Sequence, residues 1–220
     1  MSNFDKYIRD YTTDKLSLPF GPLDENGIPL FDTKMFRLSK GLIYHPTVII
    51  QYGLANYDMW IKSKADTYRD SFLKCSDWLS ENMVKEKEVW GWPSEMTLRT
   101  PKTNPPWFSG MTQGQGISLI LRAFSTTKKT SYKDAADKIL TSFTISVNDG
   151  GVISQFEDGN VFIEEIGNNS SLHILNGAIY GLYGIIEYNN LFNDESSAKL
   201  KEKFLLGITS HLKKFDLGFW

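Results

Sequence analysis

A pair of helix-like apolar periods occurs three times along this chain, and no other sequence feature limits the fold as strongly. Pro46 suits the first position of a helix, and Val48, Ile49, Tyr52, Ala55, Met59 and Trp60 follow at helical spacing. Asp66 is placed to cap a partner helix whose face is Tyr68, Phe72, Cys75, Leu79 and Met83. A second pair runs from near Gly110 through Ile117, Ile120, Leu121 and Phe124. Its partner, behind a capping box of Ser131 and Asp134, carries Ala135, Ile139, Leu140 and Phe143. A third runs from near Leu172 through Leu175, Ile179, Leu182 and Ile186, with Asp194 capping a partner that bears Leu200, Phe204, Ile208 and Leu212.

A helix pair cannot bury its apolar face alone, so repeated pairs must stack on one another. Gly53, Gly116 and Gly177 recur about 60 residues apart in the first helices, where a small residue permits close packing. Each second helix is followed by a turn-like segment, "WGWPSEM", "DGGVISQF" and "DLGFW" in order. The predicted fold is therefore mainly α: an incomplete (α/α) toroid of three helical hairpins, with short β-hairpins in the connecting loops that line its cavity. One such hairpin is expected over 152–156 and 160–163, turning at Asp158 and Gly159. Residues 1–45, broken by Pro19, Gly21, Pro22, Gly27 and Pro29, read as an irregular, extended segment packed on a domain of residues 46–220.

Composition narrows the function classes. A net charge of −2 and a pI near 5.9 supply no field that would gather a polyanion, which argues against a nucleic-acid binder. The single Cys75 excludes an internal disulfide and falls at a core position of its helix. No apolar run reaches the roughly 18 residues of a membrane span, and the polar start "MSNFDKYIRDYTTDK" is not a signal peptide. The chain reads as soluble with no export signal of its own, which leaves its location open, with the cytoplasm as one expectation. His45, His173 and His211 form no zinc spacing, and "GQGIS" lacks the remaining glycine and the strand of a dinucleotide site, so no cofactor is expected.

The stretch "VFIEEIGNNSS" sets Glu164 and Glu165 side by side behind an apolar run, with no Lys or Arg close by. A solvated turn is the ordinary explanation for adjacent acids beside Gly and Asn. Its position at the exit of the expected hairpin, beside the cavity, favours a functional role instead.

The blocks "WGWP" (90–93), "PPWFSGMTQGQGIS" (105–118) and "EEIGNNSSLHILNG" (164–177) together resemble the C-terminal domain of the D-glucuronyl C5-epimerases, enzymes of heparan sulfate and heparosan-type polymers. "HPTVIIQYGLANY" (45–57) is similar to the segment preceding that domain. The resemblance implies C5-epimerisation of D-glucuronate to L-iduronate in such a polysaccharide, by removal and return of the C5 proton. Two departures bear on activity: Ile166 and Ile163 stand where the family carries tyrosines. The family also continues into a tyrosine-bearing YDLRH-like motif, whereas this chain stops at Trp220, so it reads as truncated, and an open arc of helix pairs would favour a homodimer.

The reaction requires a base on one face of the sugar, an acid on the other, and a cation for the uronate carboxylate. Glu165, at the family's acidic position, is the expected base, with Glu164 beside it. Tyr44, Tyr52 and Tyr57 are candidate acids, with Tyr52 also a candidate for plain core packing. Arg99 in "MTLRTP" is preferred over Arg122 for the carboxylate, because a helix-interior arginine is more often an ordinary ion-pair partner. Gln113, Gln115 and Asn176 are candidate donors to sugar hydroxyls, and Trp92, Trp107 and Phe108, with Tyr44, candidate stacking surfaces; helix packing and core burial are their competing roles. The alternatives are a carbohydrate-binding or inactive remnant, or a uronate lyase, since loss of the same proton begins β-elimination. A hydrolase is disfavoured, because adjacent glutamates in an extended chain point apart.

Overall fold

The computed structural model describes residues 4, 6–11, 21–36, 41–98, 103–168, 172–216 and 218. Among these are six α-helices: α1 (Pro46–Ser63), α2 (Asp66–Glu81), α3 (Gly110–Thr127), α4 (Thr130–Thr141), α5 (Leu175–Phe192) and α6 (Glu195–His211). The first helix of every pair is 18 residues long. Each is followed by a residue in left-handed conformation: Lys64 and Lys128 at φ 61° and Asn193 at φ 52°. A non-glycine residue there ends the helix within one peptide and returns the chain at once, so the repeat is carried by the turn as well as by the apolar period.

Three antiparallel strand pairs fill the connections: β1 (Leu30–Asp32) with β2 (Leu42–Tyr44), β3 (Val84–Glu86) with β4 (Val89–Gly91), and β5 (Ile153–Gln155) with β6 (Val161–Ile163). The last is the hairpin expected at Asp158 and Gly159: Asp158 Oδ1 accepts from the Asn160 N–H at 3.1 Å, and Gly159 takes φ 85°. The β3–β4 hairpin fits the expected short hairpins in the connecting loops, but its position was not read from the sequence, because "VKEKEV" is charged and its turn residue, Lys87, carries no turn signal despite its φ of 54°.

Several boundaries differ from expectation. Asp66 is the first helical residue of α2, not its cap; Ala65 occupies that position, and Asp66 serves as a negative charge in the first turn, 3.5 Å from the Arg69 guanidinium. α4 begins at Thr130, which puts Ser131 inside the helix and removes the capping box. α5 begins at Leu175 rather than Leu172. Asp194 does cap α6, accepting from the Ser197 N–H at 2.8 Å.

The chain divides into two compact units. One comprises Met1–Asn82 with Leu119–Ala135, the other Met83–Ser118 with Ala136–Trp220. In the first, α1 packs on α2 around Ile49, Leu54, Tyr57, Phe72, Cys75 and Leu79, all buried. Arg122 is buried there too, its guanidinium 4.9–5.2 Å from the ring centres of Phe4, Tyr7 and Tyr57. It is a buried cation among aromatic rings, and its charge also acts on the Asp58 carboxyl.

In the second unit α5 packs on α6, and both rest on β6. The N-terminal half of α3 meets α5 at glycines: a Cβ on Gly184 would fall on the Gly114 carbonyl and 2.7 Å from its Cα. The buried face of α5 is consequently Gly177, Ala178, Gly181, Leu182, Gly184, Ile185 and Tyr188, with Glu187 and Asn189 buried near its end. Ile179, expected to be inside, is 41% exposed. Gly177 lies in the first turn of its helix while Gly53 and Gly116 lie further in, so the three do not occupy matching positions. None of the described helices is long and apolar enough to cross a membrane.

Candidate active site

β6 ends in Ile163, and the next two residues are the acid pair. The Glu164 main chain is fixed first: its N–H donates to the Val152 carbonyl at 2.8 Å, and its carbonyl accepts from the Gly110 N–H, at the start of α3, at 2.9 Å. Its side chain is completely buried. Ser154, on the neighbouring strand, donates its hydroxyl to Glu164 Oε1 at 2.6 Å, and the His173 N–H donates to Oε2 at 3.1 Å. Burial outweighs these two bonds and pushes the Glu164 carboxyl up to about 7.

Glu165 turns the other way. Its Cβ and Oε2 lie against the first turn of α5, where Gly177 has no side chain to displace them. The Oε2 atom is buried without a hydrogen-bond partner, and desolvation raises this carboxyl as well. A carboxylate with one oxygen cut off from water and donors is a stronger base than one fully in solvent.

His173 closes the arrangement in a left-handed conformation, φ 45°. Its ring packs on Phe156 and Phe162, with centroids 4.3 and 5.1 Å away, and its Nε2 lies 3.4 Å from Glu164 Oε1 without the alignment of a hydrogen bond. Burial and the neighbouring Lys214 and His211 hold this imidazole below its ordinary range. His211, on α6, stacks on the far part of the same cluster, 3.6 Å from the Phe156 centroid, with its Nε2 3.3 Å from Asp158 Oδ2. Neither Ser154 nor His173 was singled out as a site residue from the sequence; the available signal was the inward register of Ser154 on a strand paired with the one leading to Glu164.

The remaining candidates separate. Asn176 is exposed beside Gly177, and Trp107 is half-buried, its indole N–H donating to the Met96 carbonyl at 2.9 Å. Trp92 and Phe108 are core residues, and the Phe108 carbonyl accepts from the Gly167 N–H at 2.8 Å. Gln113 is buried and donates to the Trp90 carbonyl at 2.7 Å, which ties α3 to β4, and Gln115 is fully buried. For these four the structure shows packing positions without an open face. Tyr44 and Tyr52 belong to the first unit: Tyr44 is exposed and donates its hydroxyl to Asp24 Oδ2 at 2.8 Å, and Tyr52 is half-buried, with desolvation raising its phenol. Tyr57, also there, donates its hydroxyl to the Phe4 carbonyl at 2.9 Å. Arg99 lies outside the described residues.

Glu164 makes stability depend on pH. A carboxyl raised in the folded state favours folding while protonated, so its contribution is complete below about 4.5 and is lost as pH rises through about 7. Asp58, raised to about 6, acts in the same sense, while buried His45, lowered to about 4, acts oppositely, losing stability as pH falls from 6.5 toward 4. Glu164→Gln removes only the first of these. Urea unfolding at pH 4.5 and pH 7.5 is expected to show wild type losing up to about 3 kcal/mol more than the variant over that interval. Equal losses in the two proteins would mean that Glu164 titrates normally.

Residues 85–220 match the family described as D-glucuronyl C5-epimerase C-terminus. A D-glucuronyl C5-epimerase of Caenorhabditis elegans is 33% identical over 150 residues, which are 64% of this chain and 24% of that protein, so the chain spans about a quarter of its relative. The matched stretch contains the hairpin, the acid pair, His173 and Gly177, and covers more than half of the sequence. The chain belongs to the D-glucuronyl C5-epimerase C-terminal family, whose class is that of isomerases acting on carbohydrates.

Proposed function

We propose that this chain catalyses C5-epimerisation of D-glucuronate residues in a heparosan- or heparan-type polysaccharide. The carrying observation is the Glu165 carboxyl, raised by desolvation and with its Oε2 buried and unpartnered, at the exit of the β5–β6 hairpin within the family-matched stretch. C5 is flanked by the uronate carboxylate, so removing its proton leaves a carbanion delocalised onto that group. A base of raised pKa lowers the cost of the transfer. Glu165 takes the proton; Arg99 is the proposed cation for the carboxylate, and Asn176 and Trp107 the proposed contacts to the sugar. The chemistry is proton transfer alone and consumes no redox equivalent.

A second reading, a binding module without turnover, is favoured by one observation. Ile163 and Ile166, which stand where the resemblance calls for tyrosines, are buried and offer no phenol. The two readings separate in D2O, with the chain incubated with heparosan or N-sulfated heparosan and the C5 proton followed by NMR. Epimerisation is expected to deplete that signal and produce iduronate. Binding with no exchange on either polymer would leave the module.

A further inference from the structure

The geometry points to His173 as the second proton-transfer residue of this site, with the buried Glu164 behind it as its proton source. The inference rests on the epimerase reading and supplies the acid that Ile166 does not. Three observations carry it. His173 is held in a conformation costing about 1–2 kcal/mol for a side-chain-bearing residue, and what holds it is its N–H bond to Glu164 Oε2. Its Nε2 is buried, unpartnered and 3.4 Å from Glu164 Oε1, while its side chain retains 24% exposure, so one edge of the ring faces the acid and another remains accessible. Finally, consecutive glutamates grip the two ends of one short segment: Glu164 holds His173, and Glu165 packs on Gly177. Exposed Asn176 stands between them.

In the transfer, Glu165 takes the C5 proton: the C5–H bond breaks, and an O–H bond forms. On the other face, the Nδ1–H of neutral His173 gives its proton to the carbanion as Nε2 accepts the carboxyl proton of Glu164 across a contact that need shorten by only a few tenths of an ångström. The N–H bond at Nδ1 and the O–H bond at Glu164 break; new C5–H and Nε2–H bonds form, and the negative charge passes from the sugar to Glu164. Ser154, already bonded to Oε1, stabilises the carboxylate so formed. Raised Glu164 and lowered His173 suit this direction: a large share of the acid still carries its proton at neutral pH, where an ordinary glutamate carries almost none, and the imidazole is neutral. Lys214 and His211 are the other titratable groups bearing on the ring.

The two half-reactions can be read separately with heparosan in D2O. His173→Phe keeps the ring packing on Phe156 and Phe162. It is expected to leave exchange at C5 of glucuronate, which Glu165 alone performs, while iduronate formation falls about 100-fold. Glu164→Gln is expected to give the same split at about 10-fold or more, independently of how the first variant folds. Iduronate formation within about threefold of wild type in both variants would overturn the assignment. So would joint loss of exchange and inversion in variants that melt as wild type does. Absence of exchange in wild type is a different failure, because it removes the epimerase reading itself.

Discussion

Glu165→Gln is expected to lower C5 hydrogen exchange on heparosan by about 100- to 10,000-fold, the range over which a positioned general base contributes. The substitution keeps the side-chain length and its fit against Gly177, and it removes the basic oxygen. Stability is not expected to suffer. Oε2 accepts no hydrogen bond, and desolvation already disfavours the charged form, so a neutral amide removes a strain at neutral pH. Loss of exchange with an unchanged melting temperature and retained heparosan binding is therefore the predicted pattern. Exchange within about threefold of wild type would transfer the base to another residue.

The second large effect concerns the scaffold that sets this geometry. Gly184→Ala adds one methyl group where α5 crosses α3, and that methyl would land on the Gly114 carbonyl, 2.7 Å from its Cα and 2.8 Å from its carbonyl carbon. Main-chain atoms of a helix cannot rotate aside as a side chain can, so the helices must separate. Alanine is worth about 1 kcal/mol over glycine in a helix, and overpacking costs about 1–3 kcal/mol and occasionally more. The clash with backbone places this site at the upper end, for a net loss of about 2 kcal/mol measured by urea unfolding. The same crossing positions Gly110, whose N–H fixes the Glu164 carbonyl, so activity is expected to fall with stability. A variant as stable as wild type would show that the crossing is looser than its contacts imply.

Much of the scaffold was legible because its signals are local. The three helix pairs followed from apolar periods, the β5–β6 hairpin from Asp158 and Gly159, and the α6 start from Asp194, each a matter of a few neighbouring residues. The buried face of α5 was legible only in part, at Leu182 and Gly177. Hydropathy also selected Ile179, which is exposed, and missed Gly181 and Gly184, which add nothing to an apolar period and matter only when another helix arrives. Charge likewise concealed the β3–β4 hairpin, whose first strand is exposed throughout.

The site divides along the same line. By itself the sequence determined that two uncompensated glutamates follow a hairpin strand and precede a glycine-rich helix, which is enough to mark them as candidates. Tertiary structure decided that they are unlike. Glu164 is enclosed by Ser154 and the His173 main chain, whereas Glu165 rests unpartnered on Gly177. Adjacent residues share a sequence environment, but successive side chains leave the backbone in different directions, and burial and hydrogen-bond partners belong to the direction taken.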